Sequence, residues 1–442
     1  MTAAQLGRLA SDISHISWRK RVGRIIEVGT DNLRVAGLGA FARIGQPVQF
    51  GQAEAPGGEV IALTPRYALI MPYRSTADRQ LGEEVMLAER DALFPDASWL
   101  GRVVDAFGAP LDGKPLPRGG IAAPLLQAAP NPLLRASLGS RLRTGLNVFD
   151  TALPLVRGQR IGVFAGSGVG KTQLLAQLGS GLQADVVVLA LIGERGRELR
   201  ATLRSLPAEM CEKTVCVVAT SDRSALEKRR ALWAAMAIAE RFRDEGKHVL
   251  MLADSITRFA EGHRDVALSA GEPTALAGWP PSTAHLLASV TERAGPGIGP
   301  GAITAVFTVL VPGSDMEDPI ADMARGLLDG HVVLSREIAE RGRFPAIDLL
   351  KSVSRALPEA ATEHELELIR ELRKSLADHA RIAPMADAGL HLPGADVAAD
   401  RALALFAQLD GFIGGTNPGD ADSAFAKLSS LLSGSPAGSA PS

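Results

Sequence analysis

The octapeptide AGSGVGKT at 165–172 constrains this chain more than any other feature. An apolar run at 161–164 leads into it, and helix-like text at 173–182 follows. A strand that feeds a glycine loop opening a helix aims several backbone N–H groups at one point, which makes a cradle for phosphate. The glycines let the chain wrap without Cβ clashes. The pattern is GxxxxGK[ST] with its first glycine relaxed to Ala165. Gly166, Ser167, Gly168, Val169 and Gly170 are candidate phosphate-binding residues. Lys171 has the reach for outer phosphates, and the Thr172 hydroxyl is a candidate Mg²⁺ ligand. A glycine-rich turn with a chance lysine is the alternative. Strand, loop and helix in this order favour the phosphate loop.

The 442 residues allow two or three domains and a large core. Lys and Arg number 47 against 49 Asp and Glu, a net charge of −2 that gives no electrostatic footprint for nucleic acid. Cys211 and Cys216 make neither a zinc site by themselves nor a disulfide framework, which fits a reduced, cytoplasmic setting. No apolar run reaches the roughly 20 residues that span a bilayer, and residues 1–20 lack a signal-peptide core.

The text changes character along the chain. Leu6, Leu9, Ile13 and Ile16 fall near helical spacing and predict a short amphipathic segment within 1–20, with a frayed tail as the alternative. Short β-type runs at 24–28, 48–50 and 67–71, broken by Gly, Pro and Asp-Asn, predict a small β-barrel over 21–90. Pro and Gly at 108–120 mark a connector within 91–141. Strands at 160–165, 185–191, 214–219, 248–254, 302–310 and 331–334, with helices between several of them, predict a parallel sheet covered on both faces, in a domain extending to 356. Ser224 with Glu227 and Thr362 with Glu365 are capping boxes. The first precedes a helix with Leu232, Met236 and Ala239 on one face. The second opens a helical domain over 357–433. The Ser, Pro, Gly and Ala of 434–442 read as a disordered tail.

A loop for triphosphate still needs a metal holder and a group that orients water. The apolar strand at 248–253 ends at Asp254, at the sheet edge where the phosphate loop lies, so Asp254 is a candidate metal residue. Its alternative is a helix cap. The strand at 185–191 runs into GERGRE at 193–198, where Glu194 could polarise an attacking water and Arg195 could meet a γ-phosphate. By itself, that stretch is more often a solvated charged turn.

These segments together, AGSGVGKT, GERGRE and LADSITRFA at 252–260, resemble the catalytic subunits of rotary ATPases and the related type III export ATPases. The likeness runs from about residue 21 to about 432. GWPPS at 278–282, ERAG at 292–295, DPIAD at 318–322, LDGHVVLSR at 328–336, FPAID at 344–348 and SVSR at 352–355 favour the export branch, nearest its flagellar members. The resemblance implies an α/β fold with an N-terminal β-barrel, a central RecA-like sheet and a C-terminal helical domain. It implies ATP and Mg²⁺ at the phosphate loop, with Lys171 offsetting charge and Thr172 and Asp254 at the metal. Glu194 matches the catalytic carboxylate and Arg195 a γ-phosphate-sensing arginine. Arg258 falls in a supporting network. Arg355 matches an arginine finger reaching a neighbouring subunit, and Phe344 an aromatic that stacks on adenine. Departures are Phe344 and Trp279, where tyrosine is commoner, and Ala253, where a larger apolar residue is frequent.

The resemblance also implies partners. They are a homohexamer, a regulator resembling a peripheral stator docking at 6–16, a coiled-coil stalk, the export gate, and export substrates with their chaperones. Association with the inner membrane would be peripheral only. Rival readings are a non-catalytic nucleotide-holding subunit, which lacks the carboxylate that Glu194 supplies, and an RNA-translocating ring helicase. The helicase fits poorly with a net charge of −2 and two tyrosines. A rotary ATP synthase subunit and the ATPase of a virulence injectisome complete the alternatives.

Overall fold

The computed structural model describes residues 21–433, apart from 54, 89–90, 312–315, 393 and the side chain of Leu276. The segment read at 1–20 and the tail read at 434–442 lie outside the described residues. The chain forms two compact units. One holds the residues up to Asp91 together with Asp265–Pro273; the other holds Ala92–Arg264 and the chain from Thr274 onward.

The first unit is a closed antiparallel barrel. Its strands are β1 (Val22–Val28), β2 (Leu33–Ala36), β3 (Pro47–Phe50), β4 (Gly58–Leu63), β5 (Ala68–Pro72) and β6 (Glu84–Leu87). They are joined in the order β1-β2-β5-β4-β3-β6. Ile25, Leu33, Val35, Val48, Val60, Ile70 and Val85 fill the interior. Pairing of β1 with β6, Val22 opposite Met86, closes the ring and removes the free edges that a short-stranded sheet would expose. The sequence reading found β1, β3 and β5. It passed over β4, which opens on Gly and Glu, and β2 and β6, four residues each, in which polar and apolar side chains mix.

The second unit is built on a nine-stranded sheet. A separate two-stranded ribbon pairs β7 (Ala92–Leu93) with β9 (Ala123–Pro124). The sheet strands are β8 (Val103–Asp105), β10 (Arg160–Ala165), β11 (Val186–Ile192), β12 (Thr214–Ala219), β13 (His248–Asp254), β14 (Gly295–Pro296), β15 (Ala302–Leu310), β16 (Gly330–Leu334) and β17 (Ile347–Ser354). Their order is β17-β16-β10-β15-β13-β11-β12-β8, with β14 paired to β15. The central pairs are parallel, and β17 joins antiparallel to β16. Val186, Val188, Ala190 and Ile192 pack into one core, and Val187, Leu189 and Leu191 into another across the sheet. Burial on both faces is why β11 is apolar at every position. Within the region read as a connector, β8 forms the sheet edge beside β12. Three residues gave no periodicity to read.

Helix Ala225–Asp244 starts at the capping box of Ser224 and Glu227. One buried face was expected, yet Arg229, Arg230, Glu240 and Arg243 are buried as well. The helix lies against β11–β13 on one side and contacts β7 and β9 on another. Glu240 meets Arg293 in a bidentate pair, Nε–Oε1 3.0 Å and Nη2–Oε2 2.5 Å. Gln127 donates to Glu240, and Arg293 also donates to the Leu125 carbonyl. Removing one member of such a pair strands a buried charge. Arg293→Met is expected to cost about 3–5 kcal/mol in urea unfolding, and adding Glu240→Leu to recover much of it. Equal stability of the parent and Arg293→Met would show the pair to be dispensable.

Three helices, Glu363–Asp387, Val397–Gly414 and Ala421–Ser433, follow β17. Leu368, Leu372, Leu376, Leu409, Phe412, Phe425 and Leu428 share a core with Leu174 and Leu178 beside the sheet. Thr362 and Glu365 form the capping box of the first helix. Arg373, on that helix, donates to the carbonyls of Leu349 (2.9 Å) and Ser352 (3.0 Å) on β17.

Candidate active site

Three strand ends build the site. β10 ends at Ala165, β11 at Ile192 and β13 at Asp254, all parallel, so the residues that follow emerge at one sheet edge. Helix Lys171–Gly181 opens directly from the glycine loop. Gly170 is its N-cap at φ +89°, a conformation that a side chain resists. A Cβ there would also stand 3.1 Å from two ring carbons of Phe344. Gly193 has φ +76°, and a Cβ on it would stand 2.9 Å from Cγ of Arg258. Arg336 reaches the carbonyl of Ser167 at 3.4 Å.

Lys171, Asp254 and Glu194 come together. Lys171 Nζ lies 2.5 Å from Asp254 Oδ1 and 3.9 Å from Glu194 Oε1. Asp254 is buried, and Glu194 half-buried. Burial raises the pKa of Glu194 above the ordinary glutamate value, with help from Asp254 and a hydrogen bond to Glu198, while Lys171 works the other way. Thr172 and Asp254 line the same cleft.

Other predicted residues stand apart from this cluster. The Arg195 side chain is 81% exposed and lies 3.7 Å from Glu198. Arg355 is exposed just beyond the end of β17. Its backbone N–H donates to the Asp329 carbonyl, and its guanidinium to the Arg325 carbonyl at 3.2 Å. Phe344, 40% exposed, lies beside the loop rather than in the core. Arg258 is paired with Glu261 at 2.8 Å.

One neighbour of the cluster escaped the sequence reading. Thr308 on β15 donates to Asp254 Oδ1 at 2.8 Å. Its signal was a hydroxyl near the carboxyl end of the strand AITAVFTVL, which is otherwise apolar save for Thr304.

The donor set suits a nucleotide with a divalent cation. A flexible ammonium stands between two carboxylates, with the Thr172 hydroxyl next in the chain, at a glycine loop whose helix N-terminus favours anions.

Comparison with known proteins agrees. Residues 145–354 match the nucleotide-binding domain of the ATP synthase alpha/beta family. The flagellum-specific ATP synthase of Caulobacter vibrioides is 42% identical over 400 residues, covering 88% of this chain and 89% of the relative. The assembled ATPase EscN from the enteropathogenic E. coli type III secretion system superposes with a TM-score of 0.86 at 36% identity, covering 93% of this chain and all of that one. EscN in complex with its central stalk EscO gives a TM-score of 0.83, also at 36% identity, with the same coverage of both chains. The fold and site define a P-loop ATPase of the ATP synthase alpha/beta type. Within it, the chain belongs to the flagellum-specific and type III secretion ATPases.

Proposed function

We propose that this chain hydrolyses ATP to assist flagellar type III protein export, releasing substrates from their chaperones. The observation that carries the reading is the meeting of Asp254 and Glu194 at Lys171 Nζ, 2.5 and 3.9 Å away, at the phosphate-loop edge. In this reading Gly166, Ser167, Gly168, Val169 and Gly170 bind phosphate oxygens through their backbone, and Lys171 offsets charge on the outer ones. Thr172 and Asp254 hold Mg²⁺, which when bound neutralises phosphate charge. Glu194 takes a proton from the attacking water and so must be ionised. Phe344 stacks on the adenine, and Arg195 senses the γ-phosphate.

Arg355 acts in trans, as an arginine finger in the site of a neighbouring copy within a homohexamer. Its exposure and its separation from the chain's own cluster support this. The assembled state of EscN and its complex with EscO support a ring that receives a stalk. Among the described residues no helix is long and apolar enough to cross a membrane. By likeness to the type III secretion ATPases, we infer a cytoplasmic protein associated peripherally with the inner-membrane export apparatus. There it meets the export gate, a stator-like regulator at 6–16, and substrates with chaperones.

A chromosomal deletion tests the assignment, with swimming and host-directed secretion scored in parallel. Loss of swimming with intact secretion is expected, restored by the parent gene and not by Lys171→Ala. Intact swimming with lost secretion would move the protein to the injectisome.

A further inference from the structure

We propose that Thr308 is a positioning residue, whose hydroxyl fixes the carboxylate of Asp254 so that one oxygen serves the protein and the other is presented to the metal. The proposal rests on the reading of Asp254 as the metal-associated carboxylate. β15 is a central strand between β10 and β13, buried at every position but its last. A hydroxyl there is costly to bury without a partner. Thr304, four residues earlier, lies against His248 Nε2 (2.8 Å) and accepts from the Gly158 N–H, away from the site. Thr308, nearer the carboxyl end, donates at 2.8 Å to Asp254 Oδ1, with the Ala253 carbonyl at 3.3 Å as a weaker alternative.

Oδ1 therefore receives both Thr308 and Lys171. Among the described residues Oδ2 has no hydrogen-bonding partner. Two donors on one oxygen restrict rotation of the carboxylate about its terminal bond, a torsion that is otherwise broad. They also give the two oxygens different tasks. Lys171 can leave Oδ1 when phosphates arrive, because its long side chain is flexible. Thr308 stays within reach, because the sheet fixes its backbone and Asp254 Oδ1 is the nearer of its two acceptors. The carboxylate thus keeps its orientation while its partners change. Partners of metal-ligating groups do this generally, orienting the group without touching the ion.

The test uses the full chain. Mg²⁺ is titrated in ATPase assays at saturating ATP, and a fluorescent ADP analogue is bound with and without Mg²⁺. Thr308→Val is expected to raise the half-saturating Mg²⁺ concentration by about tenfold and to shrink the gain in ADP affinity that Mg²⁺ confers, since lost partners of ligating groups typically cost about 10–100-fold. Metal-free ADP affinity should not change. Thr308→Ser, which keeps the donor, should restore the parent response. Thr308→Cys, with a weaker donor, should show the same rise where valine unfolds the chain. An unchanged Mg²⁺ response in Thr308→Val overturns the proposal. So does equal impairment in Thr308→Ser, or an equal loss of metal-free binding, either of which marks a purely structural role. A parent chain that ignores Mg²⁺ would instead overturn the metal reading of Asp254.

Discussion

Glu194→Gln is expected to bind ATP with parent affinity and to hydrolyse it at least about 10²-fold more slowly, the scale on which a positioned base contributes. The amide keeps the size of the side chain and removes its ability to accept a proton. Stability should move the other way. Burial and the nearby Asp254 make the folded chain hold a proton on Glu194 more tightly than the unfolded chain does. A carboxyl whose pKa is raised by folding loses stability as pH climbs through the interval between its unfolded and folded values. As pH rises through that interval the parent loses this stability and Glu194→Gln does not, so the melting temperature of the variant should gain on that of the parent from acid to neutral pH. Single-turnover hydrolysis, nucleotide titration and melting curves at two pH values read all three effects. Parent-like turnover would remove Glu194 from the chemistry. A variant that instead falls behind the parent from acid to neutral pH would show that the Lys171 contact at 3.9 Å outweighs the burial.

Arg355→Ala is expected to abolish the rise of specific activity with protein concentration. In trans, an arginine finger contributes about 10³- to 10⁵-fold to hydrolysis, so the variant at high concentration should resemble dilute parent. Nucleotide binding to the isolated chain should be unaffected, because Arg355 lies outside the chain's own cluster. Mixing the variant with Lys171→Ala provides a second readout. Each contributes what the other lacks, and ring sites pairing an intact loop with an intact arginine should recover activity. Concentration dependence that survives in Arg355→Ala would count against action between copies.

The parts of the site that announced themselves were those in which the chain interrupts its own pattern. The phosphate loop breaks a strand with glycines, and Asp254 ends a run of apolar residues. The parallel strands from β10 to β16 were legible because burial leaves them predominantly apolar, most fully in β11 and β13. β8 was not, because three residues at a sheet edge carry no period. Helix Ala225–Asp244 was found, but the extent of its burial was not, since Arg229, Arg230 and Glu240 carry the charges of a solvent face. Thr308 illustrates the same limit. A threonine suits any strand, and only the register of β15 beside β13 turns it toward a carboxylate. The roles of Phe344 and Arg355 came from resemblance alone, and resemblance raised Glu194 and Arg195 above a solvated charged turn, because neither such a turn nor a lone aromatic has a local signature of chemistry.

Arg373 fastens a long helix to β17, and β17 ends one residue short of Arg355. Two carbonyls held by one guanidinium form a rivet, so the helix cannot slide along the strand without breaking it. The helix and the strand that carries Arg355 at its end thus share one support.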